Sequence, residues 1–317
     1  MKTGCKWAAR ISAFVAFSSI AYSNIVLAQV ENPDWQSALY DDHPLVGTVW
    51  DVANKTAISP SEFSSRLLGV KYLLLGEKHD NPDHHLLQLR ILSMLGERNK
   101  LSAVAMEMMD ADVQAKLTVI ADQNFSSDDE LKAYLSWDSE GWEWEFYGPL
   151  IKSALASSVP LFAGNITRET MSSVYGSEET SSLQNVVGEE VMDQLINDID
   201  SSHCGLLPES QFPAMVRVQQ ARDAAMAASL PVPAPGATSV LIAGNYHVRQ
   251  DLGVPNYLVA AEDSLLTEDI VSVSFMEVQR DSNGAEEYIE STAGTAAYDY
   301  LWFTPAISDE DYCASMR

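Results

Sequence analysis

The chain has 317 residues, with 45 Asp+Glu against 19 Lys+Arg and a formal charge of −26. Such an excess of acid repels polyanions, so nucleic acid and an anionic membrane surface are poor partners. Any anionic ligand must be held by a few local cations.

Lys2, Lys6 and Arg10 precede an apolar run from Ile11 to about Tyr22, and Val26-Leu27-Ala28 precedes Gln29. That order predicts a secretory signal peptide over residues 1–28, cleaved after Ala28. The run is short, broken by serines and not followed by a second apolar stretch, which argues against a membrane anchor. Cys5 lies before the run, so it is not placed as the lipid-bearing cysteine of a bacterial lipoprotein. The expected location is outside the cytoplasm, periplasmic or associated with an outer membrane. Cys204 and Cys313 would then meet oxidising conditions, and sequence leaves open whether they pair. No CxxC or CxxCH occurs, so an Fe–S cluster, a thioredoxin-type site and covalent haem lack support.

Residues 29–44 read as a linker and 45–317 as one domain, because no Gly/Ser/Pro-rich stretch divides the latter; Pro231-Val232-Pro233-Ala234-Pro235 reads as a loop. In chain order, the pattern predicts a helix at Ser61–Leu68, a strand at Val70–Leu75, a helix at Asp83–Glu97 and a strand at Leu101–Met106. Helices at Asp110–Ala121, Asp128–Leu135 and Pro149–Ala156 lead to a strand at Val159–Ala163. Helices at Glu189–Asp198 and Glu209–Ala228 precede a strand at Thr238–Ala243, and a helix at Gln250–Ala261 precedes one at Ile270–Met276. Two further strands, Glu287–Glu290 and Tyr298–Phe303, are expected to pair antiparallel at an edge. The alternation implies an α/β fold: a single domain with a mostly parallel central sheet flanked by helices on both faces.

In such sheets function collects outside the carboxyl ends of the strands. Here those ends are polar: Gly76-Glu77-Lys78-His79 after the first strand, Glu107 after the second, Gly164-Asn165 after the third, and Gly244-Asn245-Tyr246-His247 after the fourth. The first and last share the form Gly-x-x-His, in which glycine permits a sharp turn and the histidine faces the crevice. Glu107 supplies a carboxylate able to act as base, metal ligand or partner of a histidine.

His84 and His85 fall on the following helix, whose start is marked by Asn81-Pro82-Asp83, and are expected to be solvated or capping. Gln219, Arg222, Asp223 and Met226 share one helix face, with Arg222 either in an ordinary ion pair with Asp223 or a counter-charge for a carboxylate ligand. Trp137, Trp142, Trp144, Phe146 and Tyr147 crowd one acidic segment, either closing the core or forming a flat wall for a planar ligand.

The segments Leu73–His85, Ala103–Asp110, Gln219–Ala227 and Ala243–Pro255 resemble the motifs of the ChaN family of haem-binding proteins, a branch of the Tiki/TraB/erythromycin-esterase superfamily. Tyr298–Pro305 resembles the tail of that family, and the likeness runs from about His43 to Cys313. The resemblance implies an exported protein of iron acquisition that holds haem non-covalently, as a homodimer or with an outer-membrane or periplasmic haem-uptake system. Many relatives are lipoproteins, from which this sequence departs in lacking a cysteine after its apolar run. His79, His247, Tyr246, Tyr147, Arg222 and Arg249 are the candidate haem-binding residues, with Tyr175 and Tyr257 as further ligands and Arg168 as a further cation. Tiki-like relatives imply a rival, a metal-dependent hydrolase with Zn or Mn on His79, Glu107 and His247 and catalytic help from Glu77, Glu107, Asn165 and Asn245.

Overall fold

A computed structural model describes Met1, residues 32–177, Leu183 and residues 186–316. The expected signal peptide therefore lies outside the described residues beyond Met1.

The chain enters through a hairpin of β1 (Val49–Asp51) and β2 (Thr56–Ile58), then α1 (Pro60–Arg66) and β3 (Tyr72–Glu77). Helix α2 (Pro82–Glu97) leads to β4 (Leu101–Asp110), and α3 (Gln114–Thr118), α4 (Asp128–Leu135) and α5 (Trp144–Ala156) lead to β5 (Leu161–Asn165). Helices α6 (Arg168–Gly176), α7 (Glu189–Ser202) and α8 (Phe212–Ser229) precede β6 (Thr238–Gly244). Helix α9 (Val254–Ala261), β7 (Ile270–Glu277), a small ribbon of β8 (Ser291–Thr292) and β9 (Thr295–Ala296), and β10 (Tyr300–Thr304) complete it.

Eight strands form one sheet in the order β2-β1-β10-β7-β3-β6-β4-β5. The six from β10 to β5 are parallel, and β1 and β2 add an antiparallel edge. Successive residues of the central strands alternate between two cores. Leu73, Leu75, Val104, Met106 and Val240 pack on the side of α2 and α5, while Leu74, Ala105, Leu241 and Ala243 pack with Met226 and Tyr257 of α8 and α9. A sheet buried on both faces needs apolar residues at every position, so its strands read as continuous runs.

The expected antiparallel pair at the end of the chain is not present. Ala285–Tyr288 forms a 3-10 turn rather than a strand, and β10 runs parallel to β7. The antiparallel edge comes instead from β1 and β2, each three residues long. The helix expected at Asp110–Ala121 is α3 between two 3-10 turns.

Residues 32–44 lie on the domain. The carboxylate of Asp83 at the start of α2 accepts the backbone N–H groups of Gln36 and Ser37, at 2.8 and 2.9 Å. The Trp302 indole donates to Asn32, and Leu39 bridges Ala306 across both chain ends.

Candidate functional site

Strand β6 lies between β3 and β4, which sets the two Gly-x-x-His turns side by side, with Glu77 opposite Gly244. Neither Gly76 nor Gly244 has positive φ; both are required by close approach instead. A Cβ on Gly76 would meet Val248 and Asn245 of the neighbouring turn. One on Gly244 would sit 2.9 Å from Cε1 and 3.0 Å from Nε2 of His79. The two turns thus nest, and both histidines reach one cleft.

Glu77, fully buried, is the hub of the first turn. Its Oε1 accepts the Tyr147 hydroxyl at 2.7 Å and lies 2.9 Å from His79 Nδ1. Its Oε2 lies 2.9 Å from His85 Nδ1, while His85 Nε2 donates to the His79 carbonyl at 3.0 Å. Burial alone would raise a carboxyl pKa, but the two imidazoles hold Glu77 down at about 2. An anionic Glu77 requires His79 Nδ1 to carry its proton, which leaves His79 Nε2 without a hydrogen bond among the described residues. The His79 side chain is 44% exposed. Trp142 packs edge-on against it, at 5.0 Å between centroids.

His84 and His85, expected at the surface, are buried. His84 Nδ1 accepts the Lys78 N–H at 2.9 Å and its Nε2 reaches Thr304 Oγ1 at 3.0 Å, and burial pushes its pKa well down. His85 stacks on Phe146 at 4.6 Å, and Glu77 raises its pKa despite burial. Their roles are architectural: one sews the first turn to β10, the other charges the floor beneath His79.

A second buried network holds the other turn. Glu107 Oε2 accepts the Gly244 N–H at 2.7 Å, its Oε1 accepts Arg222 Nη2 at 2.6 Å, and His247 Nε2 stands 3.5 Å from that oxygen. His247 Nδ1 contacts Asp223 Oδ1 at 2.5 Å, with Gln219 Nε2 3.0 Å away. Burial disfavours the imidazolium, yet Glu107 and Asp223 together raise His247 to about 9. Of the two carboxylates sharing that cation, Glu107 is held well below its usual range by His247 and Arg222. Asp223 is pushed up by burial. Arg222 therefore pairs with Glu107 rather than with its helical neighbour Asp223, and its Nε donates to Asn165 at 3.2 Å.

The remaining candidates separate. Tyr246 lines the cleft but donates to Asp198 at 2.9 Å; Tyr147 lies beneath Glu77; both phenols have raised pKa values, mainly through burial. The Asn245 amide is engaged by Phe275 O and Ser274 Oγ, at 3.0 and 2.8 Å, so it pins the turn. Arg249 is buried in a bidentate pair with Asp251 and a contact to Glu290, outside the cleft. Tyr257 lies in the α8–α9 core, Tyr175 is exposed on α6 beside Gln211, and Arg168 is exposed at the start of α6. The aromatic segment belongs mainly to the core, since Trp144 and Tyr147 are buried in α5.

The cleft outside the strand ends measures ≈ 870 Å³. Glu77, His79, Glu107, Arg222, Tyr246 and His247 line its inner end, and Phe275, Met276, Val278 and Ala306 give it an apolar wall. Tyr40 and Arg280 stand at its rim, and neither drew notice in the sequence because their segments carry no motif. His79, Glu107 and His247 do converge. Among the described residues, however, no group of three or more His, Cys, Asp or Glu is arranged to hold a metal ion. Arg222 occupies the Glu107 carboxylate at 2.6 Å.

Residues 63–258 match the model of a family described as haem-binding uptake, Tiki superfamily, ChaN. The chain belongs to the ChaN family. Among solved structures, ChaN of Campylobacter jejuni, which binds haem cofacially, is 26% identical with a TM-score of 0.66, covering 80% of this chain and 95% of that one. The erythromycin esterase EreC is 14% identical, at a TM-score of 0.45 over 80% of this chain and 95% of its own. A Bacillus cereus protein is 12% identical, at 0.42 over 69% and 68%. Comparison with curated proteins gives no match.

Proposed function

We propose that this ChaN-family chain is an exported haem-binding protein of iron or haem acquisition, holding haem non-covalently in the cleft at the strand ends. The observation that carries the reading is His79: its Nδ1 is tied to the buried anion Glu77 and its Nε2 is left facing the cleft. A histidine anchored through one nitrogen presents the other in a fixed direction, so His79 is the residue that would hold the haem iron.

The other walls fit the same group. A volume of ≈ 870 Å³ accommodates a large planar ligand, and Phe275, Met276 and Val278 supply an apolar face. The tyrosines fit less well as ligands, because Tyr246 and Tyr147 donate to Asp198 and Glu77 and resist deprotonation. When bound, iron porphyrin would supply a redox-active metal. The chain itself orients His79, excludes water along the Phe275 wall and keeps the inner end charged through Arg222 and His247. A metal-dependent hydrolase would need Glu107 released from Arg222, with which it is paired at 2.6 Å, and that pairing supports the haem reading.

Titration with haem should give a saturable Soret band, and His79→Ala should shift that band and weaken binding by about tenfold or more. A spectrum unchanged by either added haem or the substitution removes the proposal. Export is supported by the pairing of Cys204 with Cys313, a bond that persists in oxidising compartments. The exported protein should begin at Gln29 by mass spectrometry, and an intact Met1 in the mature form counts against cleavage.

A further inference from the structure

Among the described residues three lysine or arginine side chains line the cleft, and each already has an acidic partner. Arg222 is paired with the buried Glu107, an ion pair that cannot open without leaving a buried charge. Lys78 holds Glu277 at 2.9 Å, and that carboxylate also accepts Asn81 Nδ2 at 2.8 Å and the Ile307 N–H at 3.1 Å, so it is fixed in place. Arg280 differs. Its Nη2 donates to Asp309 Oδ2 at 2.9 Å, its Nε donates to the Tyr40 hydroxyl at 3.1 Å, and its guanidinium lies over the Tyr40 ring at 5.4 Å. The Tyr40 hydroxyl in turn donates to the same Asp309 oxygen at 2.6 Å. Arg280 and Asp309 are 67% and 50% exposed, so this pair is screened by water and contributes little.

The three residues come from separate segments, the N-terminal strap, the turn after β7 and the C-terminal tail, and all line the cleft. A carboxylate entering the cleft would meet an arginine fork already positioned by a tyrosine ring, with the exposed Asp309 to displace and Asp281 as a further acidic neighbour. We propose that Arg280 is the specificity-determining residue that takes a carboxylate of the bound porphyrin, exchanging Asp309 for it, with the Tyr40 hydroxyl as a second donor. The inference rests on the haem reading and adds to it which group of the ligand is recognised and by what. It also explains how a protein of charge −26 admits a dianionic ligand: the rim keeps a masked cation whose mask is weakly held.

The test compares haem with haem dimethyl ester, which lacks the carboxylates, on the wild type and on Arg280→Ala, Arg280→Lys and Asp309→Asn. The expected result is roughly tenfold weaker haem binding by Arg280→Ala with ester binding unchanged. Arg280→Lys should recover part of the loss, and Asp309→Asn should bind haem at least as tightly as the wild type. The Soret position should be the same in all four, because the iron ligand is untouched. Equal losses for haem and ester, or no loss for haem, would overturn the role of Arg280 while leaving haem binding intact. A wild type that binds neither porphyrin would overturn the haem reading, and this inference with it.

Discussion

Five ionisable side chains in or beneath the inner end of the cleft, Glu77, Glu107 and His247 in its lining and Asp223 and His85 behind them, are buried and paired within a few ångströms. Burying a charge costs several kcal/mol, so such a set survives only if its protonation states are mutually fixed. His247 offers the clearest consequence. Its folded pKa is raised from 6.5 to about 9 by Glu107 and Asp223 despite burial. A group raised in this way contributes stability that is complete below about 6.5 and is lost as pH climbs through about 9. Thermal melting should therefore fall between those limits more steeply in the wild type than in His247→Gln, which cannot hold the proton. Parallel pH profiles for the two proteins would show that His247 is not the buried cation described. Histidine side-chain NMR offers a direct check, since His247 should titrate far above an exposed histidine.

At the scale of elements, what was legible depended on how far each segment's burial was set by its own sequence. The central strands β3, β4, β6 and β7 are buried on both faces, so they read as apolar runs; β6 and β7 match within one residue, while β3 is displaced to Tyr72–Glu77 and β4 continues to Asp110, which places Glu77 and Glu107 within strands. The edge hairpin β1–β2 escaped notice because its strands are three residues long and Thr56 and Ala57 are exposed, leaving no apolar run. Tyr298–Phe303 read correctly as a strand, but its parallel partner β7 cannot be inferred from local pattern, since pairing is a long-range choice. The polar strand ends were legible as chemistry because charged residues directly after apolar strands are costly unless used. Their pairing was not. Arg222 is equally able in sequence to meet Asp223, the next residue, and only the packing of α8 against β4 and β5 sends it to Glu107 and Asn165. Likewise His84 and His85 looked solvated because consecutive histidines on a helix suggest polarity, whereas the first turn folds back over both.

The whole molecule closes around its two ends. The N-terminal strap and the C-terminal tail meet at the Leu39–Ala306 bridge and at the Tyr40–Arg280–Asp309 cluster. Beyond that cluster Cys313 is bonded to Cys204 after α7, across a separation of 109 residues. A link of that span removes much of the freedom of the unfolded chain, and on loop closure alone it contributes about 4–5 kcal/mol, with about 2–5 kcal/mol usual for native disulfides. It also fixes the tail that supplies Ala306, Ser308, Asp309 and Glu310 to the cleft wall, so stability and the shape of the site are joined. Reduction, or Cys204→Ser with Cys313→Ser, should lower the urea midpoint by an amount equivalent to about 2–4 kcal/mol. The tail should also become the first segment cut under native conditions, because the Asp309 pair with Arg280 that helps to hold it past Ile307 is exposed and opens readily. Superimposable urea curves for the oxidised and reduced protein would mean that the unfolded chain is already restricted without the bond, and that packing around Ala306 alone secures the cleft wall.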